Sequence, residues 1–294
     1  MTTERAQLVP LVGALAKARV LVVGDVMLDH FQYGTVERIS PEAPIPVLKV
    51  EREETMLGGA GNVVRNLCSL GAQARFVTVT GKDPAGREVA RQIKKQGVKE
   101  SPITDGDRRT SDKTRYMAGV QQVLRADKET DGPLAAKIEA RVIRAANAAM
   151  RGAKVVVLSD YGKGVLAGKT AARIIKNAKK AKKPVIVDPK GTDFGCYRGA
   201  DLITPNLAEL SGATGMAAET DGDVVKAAKH LIRKHRFGAV LVTRSADGMT
   251  IVPAKGRAIH LAAEAQEVFD VSGAGDTAAA AIAAALGSGA SLRE

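Results

Sequence analysis

The sequence predicts an α/β fold, in which a mostly parallel central sheet is flanked by helices and a small β-sheet forms a lid. Apolar runs typical of buried strands alternate with helix-like segments along most of the 294 residues. Because parallel strands are joined by helical crossovers, this alternation favours a parallel sheet covered on both faces. Two stretches, approximately 31–54 and 110–126, are extended without intervening helices, which predicts the separate small sheet.

In the first half of the chain, apolar or alternating runs indicate strands, and amphipathic runs after turn-forming residues indicate helices. SPEAP, at 40–44, interrupts the first lid stretch, and Ala118–Gly119 marks a turn in the second. The glycine-rich run GGAGNVVRNLCSLG, at 58–71, predicts a turn that leads into a helix. The remaining predicted elements are strands at 19–25 and 74–81 and a helix at 84–97.

In the second half, strands and helices alternate regularly, which is the main support for the parallel sheet. Runs such as KVVVLSDYG and AVLVTRS have the composition of buried strands. We therefore expect a single α/β domain, residues 1–294, with the lid segments inserted in its core. The predicted elements are helices near 134–150, 168–182 and 221–236, strands at 154–162, 184–191, 201–206, 239–245 and 249–254, and an alanine-rich helix after the turn in FDVSGAGDTAAA, at 269–280.

The composition argues against several classes of protein. Hydrophobic residues make up 45% of the chain, but no run of 18 apolar residues occurs, so no membrane span is predicted. The opening MTTERAQLVP lacks the basic and apolar regions of a signal peptide. Cys68 and Cys196 lie far apart in sequence, which fits two reduced thiols better than a disulfide framework or a metal site. Together these features favour a cytoplasmic protein.

The formal net charge of +12 leaves two interpretations open. A strongly basic chain can bind nucleic acid, but such surfaces usually interleave cations with aromatic residues that stack on bases. This chain has no Trp and few Phe or Tyr, and its basic residues lie on helix faces such as IIKNAKKAKKP. We therefore favour a solvated surface with a preference for phosphorylated small molecules, and we expect no nucleic-acid partner.

Three glycine-rich stretches are candidates for phosphate binding, and the first nearly matches the P-loop. GKGVLAGKT, at 162–170, would need four residues between the first glycine and GK[ST]. Gly164 and Gly168 have three residues between them, whereas Gly162 and Gly168 have five. Neither spacing fits, because the loop length determines how the backbone wraps the phosphate.

The second candidate, GGAGNVV, is a weak match to a dinucleotide-binding motif. It contains Gly59 and Gly61, but Val64 stands where a third small residue is needed, and no strand clearly leads directly into it. Two interpretations stay open. The glycines could form a tight turn before a helix, or they could allow close approach of the backbone to a ligand, with Asn62 at the helix start.

The third candidate is the Gly273–Ala274–Gly275 turn before the alanine-rich helix. Backbone N–H groups at a helix start lack intrahelical partners and carry the positive end of the helix dipole, so they can stabilise developing negative charge. Asp276 lies in the first helical turn and could simply complement the dipole. It could also accept a proton from a hydroxyl while the amides hold the phosphoryl group under attack. This combination favours phosphoryl transfer.

Two motifs in this sequence resemble signatures of the ribokinase-type (PfkB) carbohydrate kinases. GGAGNVVRNLCSLG resembles the first signature, on the sugar side, and DVSGAGDT resembles the second, which is catalytic. The resemblance covers roughly residues 19–294. It implies a ribokinase-like fold and a sugar kinase that uses ATP and Mg²⁺. It also implies a homodimer in which two lids pack together through apolar positions such as Ile45, Val47 and Val50.

Further segments resemble one branch of that family, the heptose-phosphate kinases. That branch phosphorylates D-glycero-D-manno-heptose 7-phosphate at its anomeric (C1) hydroxyl for the lipopolysaccharide core. It commonly forms the first half of a bifunctional enzyme whose second half is an adenylyltransferase. No HxGH nucleotidyltransferase motif occurs here, so we expect the kinase half alone. The matching segments are GDVMLDHF, RISPEAPIPVLKV, TSDKTRYMAGVQQVLRAD, DYGKGVL, VDPKGTDFGCYRGADLITPNLAEL and EVFDVSGAGDT.

The resemblance implies roles for residues at matching positions. Asp276 would be the general base, with an anion hole formed by Gly273, Ala274 and Gly275. Glu209 would bind Mg²⁺ through water. The nucleotide side would be formed by Asn206, Leu207, Ala208, Glu209, Thr243, Arg244 and Gly248. The sugar side would be formed by Asp25, Asp29, Gly58, Gly59 and Asn62. Taken alone, Asp25 could equally be a helix cap, and Asn206 with Glu209 an ordinary helix start after Pro205.

A heptose 7-phosphate would also need cations that lie away from the ATP site. Lys113 and Arg115 are two residues apart, so a strand would place both on one face. Gln121 or Gln122 and Arg125 follow beyond the turn and could approach the same ligand. The alternative is a pair of solvated cations on a lid.

The end of the sequence departs from the family pattern. The chain ends at Glu294, whereas family members usually continue with further helices beside the adenine. We therefore expect those C-terminal helices to be missing and part of the nucleotide pocket to be open. Two alternatives to a heptose-phosphate kinase stay open: another sugar or sugar-phosphate kinase of this family, and a sugar-phosphate-binding protein without turnover.

Overall fold

The computed structural model describes residues 3–264 and 273–292, so the predicted stretch FDVSGAGDTAAA is described only from Gly273 onward. The helices are α1 (Thr3–Ala14), α2 (Ala60–Ser69), α3 (Pro84–Lys95), α4 (Ala136–Met150), α5 (Thr170–Lys180), α6 (Leu207–Thr214), α7 (Asp221–His235) and α8 (Ala274–Ser288). The strands are β1 (Arg19–Gly24), β2 (Val26–Ile39), β3 (Pro46–Gly59), β4 (Gln73–Val77), β5 (Val79–Gly81), β6 (Ile103–Asp105), β7 (Ser111–Ala118), β8 (Gln121–Lys128), β9 (Val155–Ser159), β10 (Val185–Asp188), β11 (Leu202–Ile203), β12 (Ala239–Thr243), β13 (Met249–Pro253) and β14 (Ile259–Leu261). Within these described ranges, no helix has the length and apolar character needed to cross a membrane.

Eight of the described strands form the central sheet, in the order β14-β13-β12-β11-β10-β9-β1-β4. The strands from β12 to β4 are parallel, and β13 and β14 extend one edge in antiparallel orientation. The predicted mostly parallel sheet flanked by helices is therefore confirmed. Because parallel strands end at the same edge, the loops that follow β1, β9, β10, β11 and β12 meet there.

Two apolar layers bury both faces of this sheet. In β1, Leu21 and Val23 belong to the layer that contains α4, α5 and α7. Val20 and Val22 point to the other face, where they join the layer that contains α2 and α8. All four side chains are fully buried. A strand covered on both faces has no solvent side, which explains why RVLVVG is a continuous apolar run.

A second, four-stranded sheet, in the order β3-β2-β7-β8, forms the lid. β2 pairs with β3 in antiparallel and with β7 in parallel orientation, and β7 and β8 form a hairpin. These strands include the predicted lid segments but extend closer to the core. Only one residue lies between the end of β1 at Gly24 and the start of β2 at Val26, and β3 ends at Gly59, immediately before α2 begins at Ala60. The small predicted sheet is therefore present, and its long strands run directly into the core.

Three elements, α1, β6 and β14, have no counterpart in the sequence-based prediction, which left α6 open as a helix start after Pro205, and one predicted strand is divided. β6, β14 and α6 are too short for periodicity to reveal them, and α1 contains Pro10, which argues against a helix. The predicted strand at 74–81 is interrupted at Thr78, whose hydroxyl donates a hydrogen bond to the Gly24 carbonyl oxygen at 2.8 Å. β4 consequently joins the central sheet, whereas β5 pairs with β6.

Candidate active site

The candidate active site lies at the edge where the parallel strands of the central sheet end. Asp25 follows β1, Tyr161 lies two residues after β9, and Asp188 and Thr243 are the last residues of β10 and β12. The first turn of α8 reaches the same edge, because Asp276 is hydrogen-bonded to Tyr161. Ligands of open α/β sheets commonly bind in the crevice outside these carboxyl ends.

The first turn of α8 has the accessible backbone expected of an anion hole. Gly273, the N-cap, has a φ of 80°, and an added Cβ there would lie 2.6 Å from the Asn62 amide nitrogen. Glycine is therefore favoured at this position, because it adopts a positive φ easily and because any larger residue would place its Cβ against the Asn62 side chain. Ala274 and Gly275 are exposed, and a Cβ added to Gly275 would meet nothing within 4 Å. The N–H groups of this turn lack intrahelical partners and are open to an approaching anion.

Asp276 is buried directly beside this open turn, with only 4% of its surface exposed. Its Oδ1 accepts a hydrogen bond from the Tyr161 hydroxyl at 2.7 Å, and its Oδ2 accepts one from Asn62 Nδ2 at 2.9 Å. Burial raises the pKa of Asp276, the nearby Asp29 carboxylate adds to the rise, and the two hydrogen bonds oppose it. A more basic carboxylate accepts a proton more effectively near neutral pH.

Tyr161 is a site residue that the sequence analysis did not select. Burial and the carboxylates of Asp276, Asp188 and Asp29 raise its pKa far above the ordinary range, so the phenol keeps its proton and acts as a donor. The signal that could have found it is its position just after β9, in the segment DYGKGVL. That segment was already one of those that resemble heptose-phosphate kinases.

Asp25, which was predicted on the sugar side, is enclosed by the loop that follows β9. Its carboxylate accepts hydrogen bonds from the backbone N–H groups of Tyr161, Lys163 and Val165 at 2.9, 3.0 and 2.9 Å. The residue is 1% exposed, and burial together with the Asp160 carboxylate raises the pKa of Asp25 to about 6. The loop that nearly matches a P-loop thus wraps a carboxylate of the chain itself. Both Asp25 oxygens have protein partners, and the predicted contact of Asp25 with sugar hydroxyls stays a prediction.

Asn206 and Glu209, predicted on the nucleotide side, form the N-terminal cap of α6. Asn206 Oδ1 accepts from the Glu209 backbone N–H at 2.9 Å, and Glu209 Oε2 accepts from the Asn206 N–H at 3.0 Å. This reciprocal capping box is the ordinary helix start that the sequence left open. The other Glu209 oxygen, Oε1, lies 3.8 Å from Lys190 Nζ. Leu207 and Ala208 form the first turn of α6 between these two residues.

The structure brings Thr243 next to Asn206, because the two residues form an isolated parallel bridge. Arg244 is buried, and its guanidinium donates to the Asp221 carboxylate and to Thr250 Oγ1, the latter at 3.2 Å. Its charge is therefore paired with a carboxylate of the same chain, the largely exposed Asp221. Gly248 lies in the turn that joins β12 to β13.

Asp188 lies in an acidic environment that fits a cation held partly by water. Burial and the Asp276 carboxylate raise the pKa of Asp188 to about 7, Glu209 adds to the rise, and a 3.0 Å hydrogen bond from Thr204 opposes it. In the described part of the chain, no three His, Cys, Asp or Glu side chains lie close enough to hold a metal ion. Mg²⁺ commonly keeps several waters and binds one or two carboxylates together with substrate phosphates. The carboxylate oxygens present fit that mode of binding.

On the lid, Asp29 and Arg115 form a partly buried ion pair between β2 and β7. Arg115 Nη1 lies 2.5 Å from Asp29 Oδ1, and its guanidinium lies 5.2 Å from the centre of the Phe31 ring. Gly58 lies against Asp29, since an added Cβ would come within 2.1 Å of Asp29 Oδ2. Gly59 ends β3 beside the start of α2.

The four residues predicted to bind the substrate phosphate all lie on the β7–β8 hairpin. Arg115 is directly opposite Arg125, an arrangement of like charges that destabilises a sheet unless anions compensate. Arg125 Nε donates to Asp127 Oδ1 at 2.9 Å, and Lys113 Nζ donates to Asp127 Oδ2 at 2.7 Å. Gln122 is exposed near the turn. The hairpin therefore concentrates cations that carboxylates of the same protein already engage.

Several of these residues lie in two sequence motifs that are signatures of a known family. Residues 17–294 match the pfkB family of carbohydrate kinases. The chain belongs to this family. Carbohydrate kinases are phosphotransferases, so the predicted class of enzyme is confirmed. The described part of the second signature forms the first turn of α8, and the first signature, 58–71, spans the end of β3 and all of α2.

Two curated relatives, each identical to this chain at more than half of the aligned positions, are longer than it. It is 56% identical over 293 residues to the bifunctional protein HldE of Paramagnetospirillum magneticum, a match that covers 99% of this chain and 60% of the relative. It is 52% identical over 286 residues to the bifunctional protein HldE of Rhodospirillum rubrum, covering 97% of this chain and 58% of the relative. The chain thus spans about three-fifths of the length of these relatives.

Solved structures support the same fold at lower sequence identity. The tetrameric inhibited form of phosphofructokinase-2 from Escherichia coli has a TM-score of 0.78 and 22% identity, with 94% of this chain and 89% of that chain covered. Arabidopsis thaliana ribokinase, in complex with ribose and ATP, has a TM-score of 0.71 and 22% identity, with 94% and 88% covered. The ribokinase-like fold predicted from the motifs is therefore confirmed.

Proposed function

We propose that this chain transfers the terminal phosphoryl group of ATP to the anomeric hydroxyl of D-glycero-D-manno-heptose 7-phosphate. The observation that carries the proposal is Asp276, a buried carboxylate of raised pKa beside the open first turn of α8. The choice of sugar rests on the resemblance of six segments to the heptose-phosphate kinases and on the relatives described above.

In this reaction, Asp276 accepts the proton of the anomeric hydroxyl as its oxygen attacks the terminal phosphorus atom. A new oxygen–phosphorus bond forms, and the bond between that phosphorus and the bridging oxygen of ADP breaks. The N–H groups of Gly273, Ala274 and Gly275 face the negative charge that spreads over the phosphoryl oxygens. The chain contributes mainly the position of the base and the electrostatic stabilisation of the transferred group.

The nucleotide lies, in this proposal, across the ends of β11 and β12. Asn206 and Thr243 are neighbours there, and the partly exposed Glu209 can reach a cation through water. Mg²⁺, when bound, neutralises charge on the phosphates that the protein would otherwise have to compensate. The buried Arg244 acts indirectly, because its pairing with Asp221 fixes the turn after β12.

The phosphate already present on the sugar binds, in this proposal, at the β7–β8 hairpin. The facing guanidinium groups of Arg115 and Arg125 would share one dianion, which would relieve their repulsion. Asp29 would release Arg115 in part and accept a hydrogen bond from a sugar hydroxyl. Lys113 would add a compact positive charge on the same face.

The lid also supports a homodimer. Several apolar side chains near its tip are exposed, among them Ile39 at 62% and Ile45 at 56%. Val36 and Val50 add to this surface. Exposed strand edges with apolar side chains are usually covered, and a second lid supplies a matching surface. We therefore propose that two copies associate through these lid residues.

An ADP-release assay across a panel of sugar phosphates tests the catalytic proposal. The heptose 7-phosphate should give the highest kcat/KM, and the unphosphorylated heptose should be a poor substrate. Highest activity with a different sugar phosphate would indicate another kinase of the same family. If the chain binds sugar phosphate but releases no ADP above the level of Asp276→Asn, it is a binding protein without turnover.

A further inference from the structure

The carboxylate of Asp276 is held at both oxygens by elements that lie far apart in sequence. Tyr161, after β9, donates to Oδ1, and Asn62, in α2, donates to Oδ2. We propose that Tyr161 is a positioning residue, which fixes the Asp276 carboxylate in the orientation that accepts the sugar proton. This inference rests on the proposed function, because it assigns a role to Tyr161 in the same reaction.

Tyr161 is itself fixed at three points. Its backbone N–H donates to the buried Asp25 carboxylate at 2.9 Å, and Asp25 also holds the next turn of the loop. The aromatic ring lies against the backbone of Gly59, where an added Cβ would lie 3.4 Å from Tyr161 Cδ2. The hydroxyl is then directed at Asp276 across 2.7 Å. A side chain fixed at backbone, ring and hydroxyl can define the orientation of its partner.

While Asp276 is ionised, the hydrogen bond can have only one direction. Burial and three neighbouring carboxylates keep the phenol protonated, so Tyr161 donates and does not compete with Asp276 as a base. Each carboxylate oxygen can accept about two hydrogen bonds. Tyr161 occupies one acceptor position of Oδ1, and Asn62 occupies one of Oδ2. The remaining acceptor positions are available to the sugar hydroxyl. Asp276 can therefore be positioned and still take up the proton.

The charged groups around Asp276 determine what loss of this bond would do. The Asp29 carboxylate, on the lid, raises the pKa of Asp276. The Asp276 carboxylate in turn raises the pKa of Asp188, at the end of β10. The donors of Asn62 and Tyr161 favour the ionised form, as does the start of α8. Removal of the Tyr161 hydroxyl should consequently shift the titration of Asp276 to higher pH.

The chain offers a matched control in Tyr197. Its hydroxyl also donates a 2.7 Å hydrogen bond to an aspartate, Asp160, and burial and that carboxylate likewise raise its pKa. Tyr197 makes no described contact with Asp276. Tyr161→Phe and Tyr197→Phe therefore remove the same kind of bond from the same region. A purely structural role predicts similar behaviour for the two variants.

The test combines pH–rate profiles with a measurement that needs no turnover. The kcat/KM of wild type, Tyr161→Phe and Tyr197→Phe is measured across pH with the best sugar-phosphate substrate. In parallel, ¹³C NMR of labelled aspartate follows the Asp276 carboxyl, which is assigned by its absence in Asp276→Asn. We expect Tyr161→Phe to lose about tenfold or more in kcat/KM, as for one hydrogen bond to a charged group. We also expect its acidic limb and its Asp276 titration to move to higher pH.

The outcomes separate this inference from the proposed function. Tyr197→Phe should keep the wild-type acidic limb and the wild-type Asp276 titration. An active wild type with an unshifted Asp276 titration in Tyr161→Phe would overturn the inference and leave the kinase assignment intact. An inactive wild type would contradict the proposed function, whereas the NMR titration would still decide whether Tyr161 controls the state of Asp276.

Discussion

Replacement of Asp276 by Asn should separate catalysis from folding. The variant lacks the proton acceptor, and loss of a general base typically lowers the rate about 10²–10⁴-fold, equivalent to roughly 3–5 kcal/mol in the barrier. The fold should survive, because burial already disfavours the charged carboxylate in the native protein. A side-chain amide has one acceptor oxygen, so it can satisfy Tyr161 or Asn62 but not both in their present orientations. One unsatisfied donor costs about 1–3 kcal/mol.

The corresponding experiment measures kcat by ADP release, the affinity for sugar phosphate by calorimetry, and the free energy of unfolding in urea. We expect kcat to fall by at least two orders of magnitude while the affinity changes less than about threefold. The same change at the exposed Asp193 is the control and should leave all three quantities unchanged. Near-full turnover of Asp276→Asn would refute the assignment of the base. A loss of turnover accompanied by global unfolding would refute the expectation that the fold survives.

Three further predictions concern the lid and the loop after β9. Arg115→Ala should raise the KM for the sugar phosphate at least tenfold with little change in the KM for ATP, and equal rises in both would contradict the phosphate site. Ile39→Asp combined with Ile45→Asp should give a monomer in light scattering. The control Val12→Asp, at an apolar position of α1 that is 65% exposed, should leave the dimer intact. A wild-type monomer at micromolar concentration would contradict the dimer. The pKa of Asp25 is raised from 3.8 to about 6, so between these pH values the folded protein keeps a proton on Asp25 that the unfolded chain has lost. This proton stabilises the folded protein by on the order of 3 kcal/mol, and the stabilisation is lost as pH rises from about 4 to 6. Urea unfolding of Asp25→Asn should lack this decline, and a parallel decline in both proteins would contradict it.

The sequence predicted the fold and the turn that opens α8 because their signals are local. The Gly273–Ala274–Gly275 turn, the adjacent Asp276 and the alanine-rich helix are contiguous, so glycine geometry and helix-start electrostatics indicate an anion hole directly. The valine-rich strands are equally local, since a strand buried on both faces must be apolar throughout.

The remaining features depend on contacts between distant parts of the chain. Tyr161 and Asp276 are 115 residues apart, so no spacing rule could connect them. The amide donors that enclose Asp25 lie 136 to 140 residues away, so the local sequence could not reveal that they hold its carboxylate. Arg244 likewise has its partner Asp221 in the helix before it, which the local motif does not reveal.

The continuity between lid and core restricts how the protein can open. Only Asp25 separates β1 from β2, β3 continues into α2 without a linker, and the Ala60 N–H donates to the Asp25 carbonyl oxygen at 2.9 Å. No flexible tether is present at these two roots, so any movement of the lid would require its own strands to bend near Asp25 and Gly59. Both residues contact Tyr161 or its loop. An opening of the lid that released product would therefore disturb the contacts that hold Asp276, the proposed base, and closure would restore them before the next turnover.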